Sequence, residues 1–163
     1  CACALLIHLM QNLPETKNTV VAVFSAQEEV GCRGSQTAAY SVQPDEGLAL
    51  DVTLAGDTPE DRKLAVNLGE GPAVKIMDSR SISNPAMVQA LLAAANRAGV
   101  SCQREVLPFG GTDGGDIQHT RGGVPAGTLS IPCRNVHSPC EVIDMRDMES
   151  ALEILKVFVN MDF

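Results

Sequence analysis

The stretch VVAVFSAQEEVGCRGS, residues 20–35, decides the fold class that we predict for this chain. The apolar, β-branched run at residues 19–26 predicts a buried strand. Two adjacent carboxylates, Glu28 and Glu29, follow that run and lead into a glycine-containing turn. Neighbouring side chains on an extended backbone point to opposite sides, so the two carboxylates are predicted to face different partners.

Predicted strands and helices alternate along the whole chain. The helices are expected at residues 2–12, 35–41, 84–99 and 144–159, with a short one after GGTDGG, and the further strands at 46–52, 72–78, 101–107 and 124–132. Residues 55–63 are turn-rich and acidic, which predicts a loop. This alternation indicates one α/β domain, a three-layer sandwich with a largely parallel central sheet.

Composition excludes several classes of partner. The chain has 163 residues, 45% of them hydrophobic, and a net charge of −8. That charge argues against nucleic acid or an anionic membrane surface as a partner. No apolar run reaches transmembrane length, and six cysteines without a regular spacing favour reduced thiols and a cytoplasmic protein.

Residues of the types that bind metals follow three predicted strands. Glu28 and Glu29 follow the first strand, Asp51 closes the second, and His137 comes shortly after the last. Ligands of α/β sheets bind at the carboxyl ends of the strands, and carboxylate and imidazole suit zinc, cobalt or manganese. One glutamate can bind a cation while its neighbour accepts a proton from a polarised water. The alternative is that the two glutamates form a solvated turn with no chemistry.

Five blocks of the sequence resemble the tetrahedral aminopeptidases, a family of dinuclear-metal exopeptidases. This family includes glutamyl and deblocking aminopeptidases, and some members carry an endoglucanase label. The blocks are FSAQEEVGCRGSQTAAYS, ALDVTLAGDTP, GPAVKIMD, LPFGGTDGGDI and SIPCRNVHSPCEVIDMRD, in this order over essentially the whole chain.

The resemblance implies a zinc-exopeptidase-like fold, peptide substrates and two divalent metal ions, zinc or cobalt. By position, Glu28 matches the general base and Glu29 the adjacent ligand of one metal. Asp51 matches a ligand of the other metal, and His137 matches the histidine ligand near the C-terminus. Taken singly, an Asp at a strand end is also a common turn residue, and a lone His is often structural.

The resemblance also implies that residues 1–163 are the C-terminal part of a metallo-aminopeptidase catalytic domain. The family places a histidine and a bridging aspartate upstream of the block resembling CACALLIHLM, together with an inserted dimerisation domain. His8 lies mid-helix and does not replace them. We therefore expect this chain alone to bind metal weakly or not at all and to lack peptidase activity. By resemblance, we expect the complete protein to form a homo-oligomer, a dodecamer.

For other polar residues near the predicted site, the sequence allows both a structural role and a role in substrate binding. Thr112 or Asp113 either caps the following helix or lies on the substrate side, and Arg134 either meets a substrate carboxylate or is a solvated surface residue. Ser25 and Cys32 flank the glutamates but have no histidine in a catalytic context, so we interpret them as packing residues.

Two function classes therefore compete at this point. The first is a metal-dependent aminopeptidase that removes N-terminal residues, and the second is a non-catalytic fragment or subunit that retains the fold without a complete metal pair. Cellulose hydrolysis by paired carboxylates finds little support, because the chain has no Trp and one Tyr to stack on sugar rings.

Overall fold

The computed structural model describes residues 1–59 and 64–162. The helices are α1 (Ala2–Gln11), α2 (Arg33–Val42), α3 (Pro85–Ala98), α4 (Asp113–Gln118) and α5 (Met145–Phe158). The strands are β1 (Gly47–Leu54), β2 (Ala73–Met77), β3 (Gln103–Val106), β4 (Ala126–Arg134) and β5 (Val142–Ile143). The predicted α/β class is confirmed, and β5 is a short addition that the sequence pattern did not indicate.

The strands form one sheet in the order β1-β4-β2-β3, with β5 against β4. The two longest pairings, β1 with β4 and β2 with β3, are parallel. The contacts of β4 with β2 and with β5 are antiparallel, and each spans only two residue pairs. The sheet is therefore largely parallel, and β3 lies at its edge, as the alternating polarity of residues 101–107 predicted.

Helices cover both faces of this sheet. Helices α1, α3 and α5 share one apolar core with the β-strand residues Val74, Leu129 and Ile131, all nearly solvent-free. On the opposite face, α4 lies so close to β4 that a Cβ on Gly114 would be 2.6 Å from Thr128 Oγ1. Alternate side chains of β4 thus point to different layers, which gives the predicted three-layer sandwich.

Helix α3 forms where local sequence signals specify it. The Asn84 side chain caps the helix by accepting a hydrogen bond from the backbone N–H of Ala86, and Pro85 occupies the first helical position. Gly99 ends the helix in the left-handed conformation that a residue without a Cβ adopts readily. The predicted helix 84–99 is confirmed with both of its caps.

The prediction of a buried strand at residues 19–26 is wrong. These residues have no ladder partner among the described parts of the chain. Val21, Val23 and Phe24 are 53%, 42% and 54% exposed. An apolar β-branched run becomes a strand only where another strand supplies hydrogen bonds, and no described strand lies beside this one.

Two further boundaries differ from the sequence prediction. Asp51 does not close its strand, because the ladder between β1 and β4 continues to the pair Leu54 and Cys133. The predicted loop at 55–63 falls partly outside the described residues, at positions 60–63. Among the described residues, no helix is both long and apolar enough to cross a membrane.

Candidate active site

The two glutamates lie in a 3-10 turn, Glu28–Val30, and not on the extended backbone that the sequence suggested. Gln27 and Cys32, on either side of the turn, both adopt the left-handed conformation. The backbone carbonyl of Glu28 accepts hydrogen bonds from the N–H groups of Gly31 and Cys32, which closes the turn. The turn, and not strand alternation, therefore sets the directions of the two carboxylates.

A glycine holds this turn against the preceding segment. The N–H of Gly34 donates to the carbonyl of Ala26 at 2.9 Å. A Cβ at position 34 would lie 2.4 Å from the backbone nitrogen of Ala26, closer than real contacts allow. Only glycine fits here without displacing the backbone, so the sequence itself favours this close approach.

Glu29 points towards the loop that follows β4. Its Oε1 lies 3.0 Å from Nε2 of His137, and both side chains are about 70% exposed, at 70% and 71%. The backbone N–H of His137 donates to the carboxylate of Glu141, which holds the loop in place. Glu29 and His137 were both predicted as metal ligands, and the fold brings them together across 108 positions of sequence.

Glu28 points into a different and more enclosed group. The thiol of Cys32 donates to Glu28 Oε1 at 3.3 Å. Asp113 lies close by, because one ligand-type atom from each of Glu28, Cys32 and Asp113 falls within 4.8 Å of the others. The Ser25 hydroxyl donates to Asp113 Oδ2, which ties the start of α4 to the segment before the turn.

Asp51 lies in the middle of β1 on the face of the sheet that α4 covers. Its register partner on β4 is Ser130, whose side chain is fully buried. Burial, together with the nearby charges of Glu28 and Asp113, raises the pKa of Asp51 to about 6, and the backbone hydrogen bond from Val52 opposes this shift. Asp51 therefore faces the enclosed carboxylates.

The electrostatics of the enclosed group are unfavourable for anions. Partial burial raises the pKa of Glu28, and the charges of Glu29 and Asp113 act in the same direction. Burial and the neighbouring Glu28 also raise the pKa of the Cys32 thiol. Carboxylates that lie close together repel one another when charged, and a bound cation relieves this repulsion.

The three residues for which a position on the substrate side was one of two interpretations all have partners within the fold. Thr112 is buried, caps α4 by accepting from Gly114 and shares a hydrogen bond with Thr128. Arg134 forms a two-point ion pair with Asp57, at 2.8 and 2.7 Å. The capping interpretation of Thr112 is confirmed, whereas a contact of Thr112, Asp113 or Arg134 with a substrate stays a prediction.

Sequence reasoning missed the contribution of Cys32 and Arg80. Cys32 was interpreted as a packing residue, yet its thiol hydrogen-bonds Glu28. Arg80 Nη1 lies 3.5 Å from the Cys32 sulfur, and its Nη2 pairs with Asp116 at 2.8 Å. The sequence does show that Cys32 lies four residues after Glu28. This spacing brings the thiol to the carboxylate only because the chain forms a 3-10 turn between them.

The donor set fits divalent cations. Glu29 and His137 place one carboxylate oxygen and one imidazole nitrogen 3.0 Å apart. Two ligands of one tetrahedral zinc, with bonds of about 2.0–2.2 Å, are about 3.3 Å apart. Asp51, with its raised pKa, is the kind of carboxylate whose ionisation a second cation would favour. The roles of these residues as ligands stay predictions.

Comparison with known proteins relates these features to one family. A family model described as M42 glutamyl aminopeptidase matches residues 1–154. A putative aminopeptidase of Acetivibrio thermocellus is 44% identical over 153 residues, which cover 94% of this chain and 46% of that protein. The chain thus spans about half the length of the curated relatives that it matches.

Solved structures agree with this relationship. An aminopeptidase from the archaeon Desulfurococcus kamchatkensis superposes with a TM-score of 0.93 at 37% identity, covering 98% of this chain and 46% of that one. A structure of PhTET1-12s, a dodecamer, superposes with a TM-score of 0.85 at 25% identity, covering 96% of this chain and 47% of that one.

Proposed function

Because this chain belongs to the M42 glutamyl aminopeptidase family, we propose that it forms the C-terminal part of the catalytic domain of a metal-dependent aminopeptidase. The complete protein would remove N-terminal residues from peptides in the cytoplasm. The observation that carries this proposal is the divergence of two adjacent glutamates, one towards His137 and one towards an enclosed carboxylate group.

We assign the metal ligands according to this geometry. Glu29 and His137, 3.0 Å apart, would hold one divalent ion, zinc or cobalt. Asp51, on the sheet face beneath α4, would hold the second. When bound, the two ions would polarise a water molecule and the scissile carbonyl group. Further ligands would come from the part of the catalytic domain that we expect to precede these residues in the complete protein.

Glu28 is the proposed general base. Partial burial and the neighbouring charges of Glu29 and Asp113 raise its pKa, and these conditions favour a carboxylate that accepts a proton. In the reaction Glu28 would take a proton from the attacking water and donate it to the departing amine. The Cys32 thiol, which donates to Glu28 Oε1, would keep the carboxylate oriented.

The experiment compares two neighbouring glutamates in the complete protein. Glu28→Gln should lower kcat for aminoacyl-anilide cleavage by about 10²–10⁴-fold, because general-base catalysis is lost. Its metal content, measured by mass spectrometry, should stay near the wild-type value. Glu29→Gln is the matched control and should lose metal. Near-normal turnover of Glu28→Gln would show that Glu28 is not the base.

A non-catalytic role is the second candidate, and the donor count favours it for this chain alone. Glu29, His137 and Asp51 would be shared between two metal positions, whereas a catalytic zinc normally has about three protein ligands. We expect no aminopeptidase activity from the 163-residue chain by itself. Activity of the complete protein against aminoacyl-anilides, without release of reducing sugar from cellulose, would support the peptidase assignment.

The exposed segment at residues 19–26 and the dodecameric relative bear on assembly. Val21, Val23 and Phe24 are exposed, so a further strand of the complete domain would have an apolar segment to pair with. Because the similar PhTET1-12s structure is a dodecamer, we propose a homo-oligomer, a dodecamer, for the complete protein. Light scattering after gel filtration would test this, and a monomeric mass would contradict it.

A further inference from the structure

Glu28, Cys32 and Asp113 form a group whose geometry resembles a metal site different from the one proposed above. One ligand-type atom from each lies within 4.8 Å of the other two. The Cys32 sulfur is 3.3 Å from Glu28 Oε1. Sulfur and oxygen ligands of one tetrahedral zinc, with bonds of about 2.3 and 2.1 Å, are about 3.6 Å apart. A cation could therefore bridge this pair with only a small outward movement.

Asp113, the third member of this group, has one buried oxygen, Oδ1, without a hydrogen-bond partner among the described residues. The other oxygen of Asp113 accepts from Ser25, so this hydrogen bond positions the carboxylate. A buried carboxylate oxygen without a donor is costly unless a cation or a donor completes it.

The surroundings of Cys32 balance the charge of such a site. Arg80 Nη1 lies 3.5 Å from the sulfur, and its charge opposes the burial and the Glu28 carboxylate that raise the pKa of the Cys32 thiol. The Arg80 side chain packs directly against Gly111, where a Cβ would lie 2.3 Å from Arg80 Cδ. Only glycine at this position leaves room for Arg80. Two carboxylates and one thiolate offset the charge of a divalent cation, while the guanidinium of Arg80 is already paired with Asp116. Binding releases the thiol proton to solvent as the metal–sulfur bond forms.

We propose that Glu28, Cys32 and Asp113 bind one thiophilic divalent cation, with Zn²⁺ and Cd²⁺ as the probes. The thiolate distinguishes this ligand set from Glu29, His137 and Asp51, since soft sulfur ligands favour zinc-like over hard cations. Cys32 is only 2% exposed, so its solvent-excluded sulfur is in place before the cation arrives. This site modifies the expectation that the isolated chain binds metal weakly.

Occupancy of this site has a consequence for catalysis, and only this consequence rests on the proposed function. A cation bound to Glu28 would withhold the carboxylate that acts as general base. Excess Zn²⁺ or Cd²⁺ would then inhibit the complete protein. The binding itself is independent of catalysis and is tested on the 163-residue chain, so failure of one does not imply failure of the other.

The test is a cadmium titration followed by ultraviolet absorbance. The exposed thiols Cys1, Cys3 and Cys140 are replaced by Ser, which leaves Cys32, Cys102 and Cys133. We expect a sulfur-to-cadmium charge-transfer band that saturates at about one ion per chain. One ion is expected because the three residues together supply about as many protein ligands as a single catalytic zinc has. Zn²⁺ should displace Cd²⁺ and remove the band.

Variants identify the ligands. Cys32→Ser should abolish the band and weaken binding by at least about 100-fold, more than loss of an outer-shell partner costs. Asp113→Asn should keep the thiol and weaken binding by at least about tenfold. Cys133→Ala, which removes another buried thiol, is the matched control and should retain the band.

Two results would overturn the proposal. The first is the absence of a charge-transfer band in the starting protein when circular dichroism shows that it is folded. The second is an unchanged band in Cys32→Ser. If Cys32→Ser does not fold, Asp113→Asn decides, because unchanged affinity in that folded variant would also exclude the assigned ligand set.

Discussion

The two faces of the central sheet are built on different physical principles, although they share the same strands. On one face Val74, Leu129 and Ile131 pack under three helices through apolar contacts, and their side chains carry no hydrogen-bonding groups. On the other face of the same strands lie Lys75 and Ser130, which are just as deeply buried. The first face gains stability from the area removed from water, whereas the second depends on matched polar partners.

The polar face is matched in one place and left open in another. Lys75 Nζ donates to Glu105 Oε2 at 2.6 Å, and Thr53 donates to the other oxygen of Glu105. Ser130 Oγ, in contrast, has no hydrogen-bond partner among the described residues. The two faces therefore differ in one respect: the polar face has a buried polar group without a hydrogen-bond partner beside the candidate site.

The largest effect should follow from breaking the buried ion pair on the polar face. Glu105→Ala leaves the Lys75 ammonium unpaired at 1% exposure, which should lower the free energy of unfolding by about 3–5 kcal/mol. The double variant Lys75→Met, Glu105→Leu removes both charges and should recover most of that loss. Urea unfolding measures both, and equal destabilisation of the single and double variants would contradict the prediction.

A cavity on the apolar face should cost nearly as much. Leu129→Ala removes a side chain that is 1% exposed and should lower the free energy of unfolding by about 2–5 kcal/mol. The matched control is the preceding residue on the other face, Thr128→Val. That change breaks the hydrogen bond with Thr112 and should cost only about 0.5–1.5 kcal/mol. Thermal unfolding of both variants compares the two faces directly, and a reversed order would refute the comparison.

Asp51 should make the polar face dependent on pH in the metal-free chain. Its pKa is raised from 3.8 to about 6, chiefly by burial, so the folded state retains the proton to higher pH than the unfolded state. The contribution of Asp51 to stability therefore declines as the pH rises from about 4 to about 6. Asp51→Asn should be more stable than the wild type at pH 7, by about 3 kcal/mol.

The measurement for Asp51 is chemical unfolding at several pH values in the presence of a chelator. Near pH 4 both proteins should have similar stability, because the aspartate is then largely protonated in the folded state. A difference that is constant between pH 4 and pH 7 would mean that the titration of Asp51 does not cause it.

The smallest effect should come from the apolar segment that belongs to neither face. Phe24 is 54% exposed, so Phe24→Ser should change the free energy of unfolding of this chain by less than about 0.5 kcal/mol. Leu129→Ala provides the reference for a buried apolar residue. A loss of 2 kcal/mol or more in Phe24→Ser would indicate that the segment is packed in solution.

Local sequence signals predicted the helices better than the strands. Asn84, Pro85 and Gly99 set the ends of α3 through interactions within a few residues, which a single sequence displays. The run at residues 19–26 has equally clear strand propensity, but it lacks a partner strand in the described parts of the chain. A strand depends on a neighbour that the local sequence does not contain, and this is the reason for the error.

The sequence by itself determined the residue types of the candidate site and the segments that carry them. Glu28 and Glu29 follow an apolar segment, Asp51 lies in a strand and His137 follows one, and this order can be read from the sequence alone. The family relationship likewise follows from the order of residues alone, and it requires no coordinates.

Only the tertiary structure decided which carboxylate has which neighbour. The left-handed residues on either side of the 3-10 turn direct Glu29 to His137 and Glu28 to Cys32. Asp113 joins Ser25 across 88 positions of sequence. Such contacts depend on how separate elements pack and on the dihedral angles of one turn. The physical reason is that side-chain direction reverses with a small change in backbone conformation, which residue order does not record.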